Sequence, residues 1–88
     1  MNYEIVFSEG AVKDLKQIPT KDQLIIIDKI ELLSSNPFPR GHKRIKIPND
    51  NFWRIRQGNY RILYSVETEV KIIDVRRIGH RRNIYDIL

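Results

Sequence analysis

Eighty-eight residues, 41% of them apolar, with no cysteine and a net charge of +5, describe one small folded domain spanning residues 1–88. They exclude a disordered chain, a disulfide scaffold and a thiolate metal site. No run of about 18 or more apolar residues occurs, so no membrane helix and no membrane partner are expected.

The opening MNYEIVFSEG carries an acid in its only apolar run and no basic stretch ahead of it, unlike a signal peptide. A reducing, cytoplasmic setting is expected for a small chain that folds without disulfides. Charge is segregated: residues 1–39 hold four lysines against six acids, and residues 40–88 hold twelve Lys/Arg against five. All the arginines lie in the second half. Because the guanidinium fork suits phosphate, that segregation points to a polyanion partner.

In chain order, Tyr3–Phe7 is β-branched and aromatic, and reads as a strand. Ser8 is placed to cap a helix with Glu9 in its first turn, and Ala11, Leu15 and Ile18 form its apolar stripe up to Pro19. Thr20 and Gln23 form a capping-box pattern for a second helix, with Ile26, Ile27, Ile30 and Leu33 facing inward. The Ser34–Pro39 segment, SSNPFP, stops it, so the two helices form a hairpin. Arg40–Arg44 reads as a basic loop, Arg44–Ile47 as a short strand, and Asn49-Asp50-Asn51 as a turn.

Phe52–Gln57 and Tyr60–Val66 flank Gly58-Asn59, a two-residue hairpin signal. With that turn, Arg56 faces Arg61, Ile55 faces Ile62 and Arg54 faces Leu63. Side chains alternate across a strand, so Arg54, Arg56 and Arg61 share one face, and Trp53, Ile55, Ile62 and Tyr64 share the other. A second hairpin near Thr68-Glu69, pairing Glu67 with Val70, brings Arg76 opposite Arg61 and adds Ile73 and Val75 to the apolar face. The architecture is therefore α+β: an N-terminal strand and a two-helix hairpin on one face of a small, mostly antiparallel four-stranded sheet, then a short C-terminal tail.

Like charges opposite one another destabilise a sheet, so the Arg56–Arg61 pair is a local fault unless an anion satisfies both. The alternative reading is that these arginines splay into solvent or pair with Asp74 and Glu67. His80 is one of two histidines, a residue type suited to general acid–base work, while Tyr85 can stack on a base or move a proton. Metal-free RNA cleavage needs a base for the 2′-hydroxyl, cations for the phosphorane and an acid for the leaving oxygen. Arginines supply the cations. No His/carboxylate cluster has metal-ligand spacing, so neither metal nor cofactor is expected.

The stretches WRIRQGNYRILYSVE and VRRIGHRRNIY, with AVKDLKQIP and the Asn-Pro stop after the second helix, resemble the RelE/ParE superfamily of toxins from type II toxin–antitoxin pairs. The resemblance implies a ribosome-dependent endonuclease that cuts mRNA in the ribosomal A site by 2′-hydroxyl attack. It further implies a RelB-like antitoxin partner through which the complex binds operator DNA. On the matching positions, Arg54 and Arg56 would grip the RNA backbone, one of them as a candidate base. Arg61 and Arg81 would stabilise the transition-state phosphate, Tyr85 would stack or transfer a proton, and His80 matches a histidine of several branches. Arg76, Lys43, Arg44, Lys46 and Arg82 complete the expected phosphate-binding set. A gyrase-poisoning toxin of the ParE type and a non-catalytic nucleic-acid-binding relative are the alternatives on this scaffold.

Overall fold

A computed structural model describes residues 2–47 and 50–81. Strand β1 (Glu4–Phe7) leads into helices α1 (Glu9–Lys16) and α2 (Thr20–Leu32). Four strands follow: β2 (Lys43–Ile47), β3 (Asp50–Gln57), β4 (Tyr60–Glu67) and β5 (Ile72–His80). They form one five-stranded sheet in the order β1-β5-β4-β3-β2, antiparallel except that β1 lies parallel to β5. The α+β fold is the one expected, with the N-terminal strand joining the sheet as its fifth member.

The core lies between the helices and one sheet face. Ala11, Ile18, Ile26, Ile30 and Leu33 from the helical side meet Ile55, Ile62, Tyr64, Ile73, Val75 and Ile78 from the sheet. Ile27, expected inside, is only half-buried. Ser8 caps α1 as anticipated, its hydroxyl accepting from the Ala11 amide. Asp14, on α1, accepts from Arg77 Nε at 2.8 Å, Arg77 Nη2 at 3.1 Å and the Ile78 amide at 2.9 Å, which bolts α1 to β5.

Three local expectations change. The capping box at Thr20 is absent: α2 begins after Pro19, and the Gln23 amide instead donates to the Leu15 and Ile18 carbonyls at 2.7 and 2.8 Å. It thereby caps carbonyls at and just beyond the end of α1, where the Leu15 carbonyl also accepts from the Ile18 amide at 3.1 Å. Asp50 and Asn51, expected in a turn, already belong to β3 and pair with Ile47 and Lys46. The β4–β5 connection spans residues 68–71 rather than two residues, with Lys71 at φ 58° in the left-handed region. Glu67 therefore pairs with Ile72, two residues later than expected. A shift of two preserves side-chain parity, so Ile73 and Val75 still reach the core.

A candidate phosphate-binding face

The β3–β4 hairpin matches its expected register throughout: Gln57 pairs with Tyr60, Arg56 with Arg61, Ile55 with Ile62 and Arg54 with Leu63. Gly58, at φ 58°, takes the first position of the two-residue turn, where a positive φ is needed. Alternation then sends Arg54, Arg56 and Arg61 away from the core. Arg54 and Arg61 are nevertheless only 6% and 8% exposed, while Arg56 is open to solvent.

Arg61 is the most constrained of the three. Its Nη1 donates to the Gly58 and Tyr60 carbonyls at 3.2 and 3.1 Å, folding the guanidinium back over the turn. Its Nε is buried with no hydrogen-bond partner among the described residues. Arg56 stands across from it on β3 and Gly79 on β5. Neither neighbour supplies a counter-ion. Among the described residues the ion pairs are Lys13–Glu9, Arg76–Asp74 and Arg77–Asp14. The alternative in which Asp74 or Glu67 neutralises Arg56 and Arg61 is therefore not the arrangement adopted.

Lys43 pairs with Arg54, which puts it on the same face. Arg44 and Lys46, expected to join them, alternate to the other face, where Arg44 Nη2 donates to Asn51 Oδ1 at 2.7 Å. Arg76 does not face Arg61. A bulge between Leu63 and Tyr64 breaks the β4–β5 register beside it. Arg76 instead pairs with Asp74 at 2.9 Å, its guanidinium 6.0 Å from the centre of the Phe52 ring. The longer connection and the bulge together account for the displacement.

His80 pairs with Tyr60, and alternation sets both on the face opposite Arg61. Their rings meet edge-on with centroids 5.9 Å apart, and the Tyr60 hydroxyl donates to Asp22 Oδ2 at 3.3 Å. Burial, followed by the Asp22 charge and that hydrogen bond, raises the Tyr60 pKa above its ordinary value. The structure therefore groups His80 with Asp22 and Tyr60 rather than with the arginines. Arg81 is exposed, and its amide donates to the Asn59 carbonyl at 2.7 Å, which keeps the end of β5 against the β3–β4 turn. Arg82 and Tyr85 lie outside the described residues. Sequence reading passed over Phe52 and Leu63, although alternation alone places both beside Arg54. No group of three or more His, Asp or Glu side chains among the described residues is arranged to hold a metal ion. Nor is any described helix long and apolar enough to cross a membrane.

A family model described as the ParE toxin of the type II toxin–antitoxin system parDE matches residues 5–85. The toxin RelE3 of Methanocaldococcus jannaschii is 38% identical over 87 residues, covering 94% of this chain and 96% of its own. The RelB–RelE antitoxin–toxin complex of Methanococcus jannaschii contains a chain 34% identical to this one, with a TM-score of 0.68 over 94% of this chain and 98% of that one. The toxin–antitoxin complex RelBE2 of Mycobacterium tuberculosis superposes with a TM-score of 0.81 at 26% identity, over 92% of this chain and 100% of that one.

Proposed function

From the premise that this chain belongs to the RelE/ParE toxin family of type II toxin–antitoxin systems, we propose that it is a ribosome-dependent endoribonuclease that cuts mRNA in the A site. The observation that carries the reading is Arg61. It is a buried cation without an acidic partner among the described residues, set across from a second arginine and holding an unused donor. Burying such a charge is unfavourable unless something anionic completes the site. An RNA phosphate does so, its oxygens accepting from Arg61 and Arg56 while Arg54 and Lys43 hold the adjoining backbone.

On that surface the 2′-oxygen attacks the adjacent phosphorus. A 2′-O–P bond forms and the P–O5′ bond breaks, giving a cyclic phosphate and a 5′-hydroxyl. The 2′-proton leaves to a base, and a second proton reaches the departing 5′-oxygen. Arg61 and Arg81 stabilise the doubly charged phosphorane, the part of the reaction for which cations matter most. Arginine stays protonated at neutral pH and so has no lone pair free to take the 2′-proton, which leaves proton transfer to Tyr85. His80, on the opposite face, takes no direct part in this scheme.

The partner is a RelB-like antitoxin in the cytoplasm, which masks the basic face and carries the complex to operator DNA. Support comes from the solved relatives crystallised as antitoxin–toxin complexes. The ParE description of the matching family model favours one second reading, a gyrase poison built on the same scaffold. Inducing expression and mapping mRNA 5′ ends alongside SOS induction separates the two. Cuts inside codons support the nuclease; SOS induction without such cuts supports the gyrase reading.

A further inference from the structure

The outward sheet face is ordered in three rows across the strands. Arg56, Arg61 and Gly79 form the first, and Lys43, Arg54 and Leu63 the second. The third holds Ile45 opposite Phe52 and Ser65 opposite Asp74. Successive rows lie about 7 Å apart, two residues along a strand. The first two rows are basic, and the third is of different chemistry. There a hollow of about 420 Å³ is lined by Phe52, Ser65, Glu67, Asp74 and Arg76 with neighbouring backbone. Arg76 covers the Phe52 ring and is held in place by Asp74.

We propose that this hollow is a base-binding subsite, filled by a nucleobase of the same RNA strand whose phosphate sits at Arg61. The proposal deepens the nuclease reading and rests on it for the identity of the ligand. A flat heterocycle in the hollow can stack on the exposed Arg76 guanidinium or against the edge of the Phe52 ring. The hollow opens between two carboxylates, Glu67 and Asp74, and the Ser65 hydroxyl. Carboxylates only accept hydrogen bonds, so they favour a base presenting an exocyclic amino group. Uracil has none; its single N3–H donor is flanked by two carbonyls, so one of these faces an acid acceptor against acceptor, which a desolvated site penalises. The subsite thus takes adenine, cytosine or guanine and discriminates against uracil, a selection that Arg54, Arg56 and Arg61 cannot make because every nucleotide carries the same phosphate.

The test uses two 2′-O-methyl pentaribonucleotides, which cannot undergo 2′-attack: UUAUU and UUUUU, titrated into the labelled protein by NMR at fixed salt. UUAUU is expected to bind on the order of tenfold more tightly, with its largest amide shifts at Phe52, Ser65 and Asp74. Phe52→Ala and the near-isosteric Asp74→Asn are expected to bring the two affinities together while the spectra remain dispersed. Equal affinity in the wild-type protein, including no measurable binding of either probe, overturns the subsite, as do shifts confined to the first two rows. Because neither probe can be cut, the outcome is independent of the mapped cleavage. A chain that cleaves mRNA but binds both probes equally keeps the nuclease and loses the subsite, and the reverse result does the opposite.

Discussion

Arg56 and Arg61 face each other as paired residues of β3 and β4, two like charges on a basic face with no ion pair to either among the described residues. Such an arrangement trades stability for a binding surface. Arg56→Gln is therefore expected to raise stability by a few tenths of a kcal/mol, since Arg56 is exposed and loses only the repulsion. It is also expected to weaken RNA binding and cleavage. Denaturant midpoints and a ribosome cleavage assay on the same preparation would show the two moving in opposite directions.

Arg61→Ala should reduce cleavage by about 100-fold or more, the usual cost of removing one donor from a developing oxyanion. Arg61→Lys tests whether charge or geometry matters. A lysine keeps the charge but has no planar guanidinium with which to hold the Gly58 and Tyr60 carbonyls and keep further donors for a phosphate. Activity nearer to Ala than to wild type is expected, measured as single-turnover cleavage of A-site mRNA with circular dichroism to confirm the fold.

Gln23→Ala should destabilise the protein by about 1–2 kcal/mol without touching the arginine face. One amide nitrogen here serves two carbonyls at the junction of the helices, and its removal leaves both without that donor. Thermal unfolding would register the loss, while cleavage per folded molecule should stay at the wild-type level.

Stability should fall at alkaline pH. Burial raises the Tyr64 pKa, and burial together with Asp22 raises that of Tyr60, so the folded state holds these phenolic protons more tightly than the unfolded chain. The stabilisation is complete below pH of about 10, where free tyrosine ionises, and is lost as pH rises through the higher folded-state values. Tyr64→Phe should cost about 1 kcal/mol at neutral pH through the lost bond to the Pro37 carbonyl. Its midpoint should then decline less steeply than that of the wild type above pH 10.

What could be read from the residues was whatever a short-range period or turn determines. The Gly58-Asn59 hairpin, the Ser8 cap and the division of arginines from isoleucines all follow from neighbours in sequence, and the structure reproduces them. What escaped was set by distant parts of the chain. Gln23 abandons its own helix because the end of α1 lies within reach, which no local pattern reveals. The position of Arg76 depends on a four-residue connection and a bulge whose sequence, Thr68-Glu69-Val70-Lys71, carries no glycine to mark the left-handed residue at Lys71. His80, read as part of a tail beyond the sheet, is instead the last residue of β5 and lies on the face opposite Arg61. The candidate site was thus legible on β3 and β4, and misplaced wherever it depended on β5.

The parallel pairing of β1 with β5 joins residues 4–7 to residues 72–75. β1 has no partner in the sheet until β5 is in place, and the anchor between Asp14 and Arg77 waits on the same event. Closing so long a loop is slow compared with forming the hairpins between them. Assembly of the sheet is therefore gated by β5, whose arrival fixes β1 and α1 together.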